Sequence, residues 1–218
     1  MSWLKTISEL NGETILQEIS IADLKMTTKI LVIDDQEFDY FKDLQKYDFN
    51  IRWKEDLTEL SDAAEYDVIL CDIRGVGKFL NSKYDGANLI KQLRVKYPNK
   101  IIVAYTAEPY EADFEPFLGF ATDVIAKGTY TIEAWVALLE KYVKELADPV
   151  VQWKKTRNLL LDAEVSTIEI AKYESAYVKA VKKKEFESLK KLYSSKKDVG
   201  SKIMLELISA IIARSFKK

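Results

Sequence analysis

Between residues 29 and 126, five short apolar runs alternate with longer amphipathic stretches, and this alternation limits the fold more than any other property of the chain. The runs are 29–33 (KILVI), 49–53 (FNIRW), 67–71 (DVILC), 100–105 (KIIVAY) and 122–126 (TDVIA). Helical periodicity fills the gaps at 36–47, 57–66, 86–97 and 110–119, and again at 131–146 after the last run. Strands separated by helices imply parallel pairing, because a parallel neighbour is reached only through a long crossover. Right-handed crossovers then give an open, doubly wound sheet whose site lies at the carboxyl ends of the strands, near the switch point. The predicted class is α/β, a doubly wound five-stranded parallel sheet, followed by an all-helical C-terminal extension.

Polar groups stand at those carboxyl ends. Asp34 and Asp35 follow the first run, Asp72 the third, Thr106 the fourth and Lys127 the fifth. One Asp after a strand reads as an ordinary helix N-cap. Two in a row, with a third converging on the same edge, repel one another unless a cation neutralises them. Hard oxygen ligands with room for water suit Mg²⁺. With that charge balanced, one carboxylate can attack phosphorus while the Thr106 hydroxyl and the Lys127 ammonium stabilise the phosphoryl oxygens. The chemistry expected is aspartyl phosphorylation.

Composition removes other classes. The chain has no histidine, so histidine-based catalysis and histidine metal sites are excluded. A single cysteine, Cys71, rules out an internal disulfide framework and reads as a small buried strand residue. No leader-like N-terminus and no apolar stretch of about 18 residues is present, so a cytoplasmic protein with no membrane contact is expected.

The ordered set of residues resembles the receiver domain of bacterial two-component response regulators, over about residues 28–147. That resemblance implies a flavodoxin-like fold and a Mg²⁺ cofactor. It implies a histidine kinase or phosphotransfer protein as partner, with self-phosphorylation from that partner or from a small phosphodonor. By position it makes Asp72 the phosphoacceptor, Asp35 and Asp72 direct metal ligands, Asp34 a ligand through water, and the Arg74 main-chain carbonyl the last protein ligand. Thr106 would bond the phosphoryl group and Lys127 would pair with it. The chain departs from the pattern in three places. The loop after Asp72 is long and carries Gly75, Gly77, Lys78 and Lys83 before Asp85-Gly86, and its lysines read as solvated charges. Gly128 replaces the usual proline after Lys127. Val124 stands where the family often has an aromatic switch residue, so coupling is expected to run through another element. Trp53, Trp135 and Tyr105 read as packing, although Tyr105 adjoins Thr106 and could gate the site.

The ends differ in charge. Residues 1–149 hold 17 Lys and Arg against 27 Asp and Glu, whereas 150–218 hold 16 against 8. This gives three parts: an N-terminal arm or helix (1–27), a receiver domain (28–147) and a helical module for dimerisation or effector contact (148–218). In the arm, Trp3, Leu4, Ile7 and Leu10 have helical spacing and are expected to pack on the receiver or on a second subunit. Residues 150–199 lack Pro and Gly and read as nearly continuous helix. The segment from Ile203 to Phe216 is apolar on more than one face, which points to a homodimer through residues 150–218. The function expected is a phosphorylation-switched interaction protein. The other class is a DNA-binding transcriptional regulator that uses the basic tail.

Overall fold

The computed structural model describes residues 4–10, 20–107 and 113–215. Contacts divide the chain into two compact units: Lys25–Val143, and a second that joins Met1–Leu24 to Lys144–Lys218.

The first unit contains a sheet of β1 (Lys29–Ile33), β2 (Asn50–Lys54), β3 (Val68–Cys71), β4 (Ile101–Thr106) and β5 (Asp123–Ala126). All pairs are parallel, in the order β2-β1-β3-β4-β5. The sheet is doubly wound, as the alternation implied, and its strand order is the flavodoxin-like one that the resemblance implied. The three inner strands are apolar on both faces because both are covered. Leu31, Ile33, Ile69, Cys71, Ile102 and Ala104 share one core with Leu89, Ile90 and Leu93. On the alternate positions Ile30, Val32, Val68, Leu70, Ile101 and Val103 are equally buried. The edge strands bury less, with only Ile51 of β2 and Ile125 of β5 fully inside.

The connecting helices are α1 (Ile21–Thr27), α2 (Phe41–Lys46), α3 (Asp85–Lys96), α4 (Glu115–Leu118) and α5 (Ile132–Ala147). Several are shorter than their sequence patterns. The 57–66 stretch forms only a 3₁₀ turn, Leu60–Ala63. There the Asp62 carboxylate accepts from the Thr58 N–H, the Thr58 hydroxyl and the Glu59 N–H, a local network that competes with an α-helix. The 36–47 stretch turns helical only at Phe41, because Gln36 N–H is held by Asp34 Oδ1 at 2.9 Å in a turn. In 110–119 the described helix is the single turn α4, and residues 108–112 lie outside the described residues.

The second unit is helical, but not continuously so. It comprises α6 (Pro149–Asp162), α7 (Thr167–Lys183), α8 (Phe186–Ser194) and α9 (Val199–Ser215). Breaks arise without Pro or Gly because Glu164 and Lys184 take left-handed φ of 57° and 58°, a role usually given to glycine. Caps fix the restarts: Asp148 accepts from Val150 and Val151, Ser166 from Glu169, and Asp198 from Ser201. The core stacks Trp153 on Tyr177 at 5.4 Å with Tyr173, Leu189, Met204, Leu207 and Ile208 around them. Gly200 lets α9 approach closely, since a Cβ there would meet the Tyr173 ring at 2.8 Å.

The N-terminal arm belongs to this helical unit rather than to the unit that holds the sheet. Lys5 N–H donates to Ser175 Oγ at 3.0 Å and Ile7 N–H to Glu174 Oε1 at 2.6 Å, while Ile7 and Leu10 pack on the helical core. Over 4–10, where the spacing is helical, the chain forms a 3₁₀ turn, Ile7–Glu9, and residues 11–19 lie outside the described residues. Trp3 and Phe216 lie outside the described residues. Among the described residues, no helix is long and apolar enough to cross a membrane.

Candidate functional site

Sheet register builds the site. Ile33 pairs with Cys71, so the next residues, Asp34 and Asp72, sit side by side at one interstrand spacing. Asp72 N–H donates to the Ile33 carbonyl (2.9 Å) and Asp34 N–H to the Lys54 carbonyl (3.1 Å). Thr106 ends β4 opposite Ala126, and its carbonyl accepts from Lys127 N–H at 2.7 Å. Four strand ends therefore deliver the predicted residues to one edge. A carboxylate oxygen from each of Asp34, Asp35 and Asp72 lies within 4.8 Å of the others. Asp34, Asp72 and Thr106 are buried and Asp35 is exposed.

Lys127 carries the countercharge. Its ammonium donates to Asp34 Oδ2 at 2.9 Å and to Asp72 Oδ2 at 2.5 Å. Asp72 Oδ1 accepts from Ile73 N–H (2.7 Å) and, more weakly, Arg74 N–H (3.4 Å). Burial pushes the Asp72 carboxyl above its ordinary value, and the Lys127 hydrogen bond opposes that shift without cancelling it. For Lys127, burial works to lower the pKa, but the hydrogen bonds to Asp72 and Asp34 outweigh it and leave the ammonium raised.

The long loop is shaped to the pocket. Gly75, at φ +71°, lets the backbone pass Asp35, because a Cβ there would lie 2.2 Å from Asp35 Oδ2. At Gly86 a Cβ would fall 2.0 Å from the Asp72 carbonyl oxygen, so α3 starts directly against Asp72. Lys83 lies over the Tyr84 ring at 4.7 Å and Lys78 is exposed, consistent with solvated charges. Gly128 turns the chain at φ +78°, and none of the described peptide bonds is cis. Val124 is 41% exposed, which fits no buried switch. The Arg74 guanidinium lies over the Phe114 ring at 5.0 Å. Cys71 is fully buried, and burial drives its thiol pKa up, as expected of an inert strand residue.

Trp53 and Asp56 escaped the sequence reading as site residues, as did the hydrogen bond made by Tyr105, whose place beside Thr106 was its signal. Tyr105 donates its hydroxyl to Asp34 Oδ2. Trp53 Nε1–H donates to the Asp34 carbonyl at 2.9 Å. Asp56, just beyond β2, accepts from Gly77 N–H (2.6 Å) and Lys78 N–H (3.0 Å) and so pins the loop. Asp56 also left a signal, as another acid at a strand's carboxyl end. A hollow of about 100 Å³ beside the acids is lined by Asp34, Tyr105, Lys127 and Trp135 among others. A larger one of about 530 Å³ lies along β2 and holds no acid cluster.

Three hard oxygen donors beside one ammonium leave the pocket net negative, a donor set that suits a hard divalent cation such as Mg²⁺. Asp34, Asp35 and Asp72 are the residues able to hold it.

No protein-family model and no curated protein matches the sequence. Solved structures of response regulators do match it. A response regulator from Thermotoga maritima is 19% identical, with 53% of this chain and 97% of that one covered and a TM-score of 0.42. A chemotaxis protein from Vibrio cholerae is 21% identical over 53% of this chain and 98% of its own, at a TM-score of 0.42. A response regulator protein from Burkholderia pseudomallei, solved with a phosphorylated aspartic acid, calcium and citrate, is 19% identical over 66% of this chain and 89% of its own, at a TM-score of 0.41.

The raised Asp72 carboxyl gives a pH dependence of definite sign. A folded pKa above the unfolded value near 4 means that the folded state binds more protons, so metal-free stability falls as pH rises from about 4 through the folded value. Urea melts in chelator should show that decline in the wild type and lose it in Asp72→Asn. With Mg²⁺ present the sign should reverse, because the cation competes with the proton for Asp72.

Proposed function

We propose that the chain is a two-component response regulator in which Asp72 accepts a phosphoryl group. The observation that carries this reading is the meeting of Asp34, Asp35 and Asp72 with Lys127 at one sheet edge, with Thr106 ending the neighbouring strand. Asp72 is taken as the acceptor because two backbone N–H groups hold its Oδ1 and its Oδ2 meets Lys127, whereas Asp34, equally buried, has its Oδ2 occupied by both Lys127 and the Tyr105 hydroxyl. Its Oδ2 attacks phosphorus, an O–P bond forms, and the donor's leaving group departs with its electron pair. The clamp from Ile73 and Arg74 holds Oδ1 still during attack. Lys127 balances charge on the transferred oxygens, and the Thr106 hydroxyl donates to one of them. Bound Mg²⁺ supplies charge neutralisation and a template for those oxygens. Asp35 and Asp72 would be its direct ligands, with Asp34 through water and the Arg74 carbonyl beside them. The partner would be a histidine kinase or phosphotransfer protein, since the chain has no histidine of its own.

The output belongs to the helical unit, read as a dimerisation module. Leu161, Ile168, Leu192 and Val199 are exposed, and Ile203, Leu205, Ile211 and Ile212 are only partly covered. Full burial of such side chains is worth about 1.5–3 kcal/mol each, far above the 0–1 kcal/mol of a surface ion pair. Such a dimer should therefore hold in high salt and need no phosphorylation.

Two measurements test these readings. Incubation with a small phosphodonor and Mg²⁺ should add one phosphoryl mass to the wild type and none to Asp72→Asn; equal labelling of the variant would displace Asp72 as acceptor. Light scattering of the full chain in high salt should give a dimer, and a monomer would remove the assembly reading.

A further inference from the structure

The hydrogen-bond arrangement around Asp34 contains one member with no part in the chemistry above. Asp34 Oδ1 takes Gln36 N–H at 2.9 Å, and Oδ2 takes both the Lys127 ammonium at 2.9 Å and the Tyr105 hydroxyl. Its carbonyl is held by Trp53. The Tyr105 ring is 3% exposed and meets Phe38 and Trp135 edge to face at 5.4 and 6.3 Å, so the hydroxyl is aimed rather than free to turn. Lys127 lies over the same ring at 4.8 Å.

Lys127 faces a conflict that this arrangement relieves. Its ammonium is divided between Asp34 and Asp72, and a phosphoryl group on Asp72 would bring further negative charge to one side of it. If Lys127 were the sole donor to Asp34 Oδ2, moving toward that group would strand a buried carboxylate oxygen, which is costly for a charged acceptor. The hollow of about 100 Å³ beside Lys127 leaves its side chain room to shift.

We propose that Tyr105 is a positioning residue: its hydroxyl keeps Asp34 satisfied so that Lys127 can be released toward Asp72. This rests on the phosphoacceptor reading. Tyr105 touches neither the acceptor nor the transferred group and acts through Asp34 and Lys127. Loss of the hydroxyl has two consequences of opposite sign. Asp34 loses a donor, so the pocket becomes more negative and holds a cation more tightly. Lys127 becomes the only side-chain donor left on Asp34 Oδ2, and transfer to Asp72 slows.

The test compares Tyr105→Phe, which keeps the ring between Phe38 and Trp135, with Tyr105→Leu, which removes both ring and hydroxyl. Mg²⁺ affinity is read by competition with a fluorescent chelator. The rate of Asp72 labelling is read by intact mass at saturating Mg²⁺ over a range of donor concentrations. In Tyr105→Phe, Mg²⁺ should bind severalfold more tightly, while the maximal labelling rate falls by about tenfold or more, the size expected for a hydrogen bond to a charged group. A packing role alone predicts that Phe behaves as the wild type and only Leu is impaired. That result would overturn the proposal, as would parallel loss of metal binding and labelling in Tyr105→Phe. If the wild type itself is not labelled at Asp72, the phosphoacceptor reading fails and this proposal falls with it.

Discussion

Parallel register between β1 and β3 forces two carboxylates into neighbouring positions, and the pocket exists only because a cation answers them. The Ile33–Cys71 pairing leaves Asp34 and Asp72 no freedom to separate, and both are almost fully removed from water. Isolated charges in such a place cost several kcal/mol each. Lys127 reaches both because β5 ends beside β4, and its backbone is fixed by the Thr106 carbonyl. The rest of the edge follows from that balance. Glycine is needed at 75 and 86 because the loop and α3 crowd the acids, and Asp56, Trp53 and Tyr105 fix what surrounds them.

This charge arrangement separates folding from chemistry. The sheet needs only apolar burial on both faces, which KILVI, DVILC and KIIVAY supply. The acids contribute nothing to that and, with Asp72 pushed up by burial, oppose it. A destabilising group kept beside a matched ammonium is what a site poised for reaction looks like physically.

How much was legible in the sequence depended on the kind of signal. The inner strands were plain because parallel strands buried on both faces are continuously apolar, and the acid, hydroxyl and ammonium set was plain because each residue follows a strand end. The 57–66 stretch misled because Thr58 and Asp62 offer hydrogen bonds that helical periodicity does not record. Continuity of the tail misled because Glu164 and Lys184 adopt conformations normally left to glycine. The hydrogen bonds of Tyr105 and Trp53 were hidden for another reason: an aromatic side chain that packs and one that packs while donating a hydrogen bond look the same in one dimension. The apolar spacing of Ile7 and Leu10 showed that the arm packs but not on which unit, because part of that contact is made by the backbone N–H groups of Lys5 and Ile7.

The central claim is that Lys127 supplies the cation without which Asp34 and Asp72 cannot share the pocket. Thermal unfolding of Lys127→Met, with chelator and with Mg²⁺, tests it most directly. The account predicts a melting temperature lower than wild type in chelator, by on the order of 5 °C for the loss of a mostly buried partner, and a larger rise on adding Mg²⁺ than the wild type shows. An unchanged melting temperature in chelator, or equal Mg²⁺ increments in the two proteins, would contradict it.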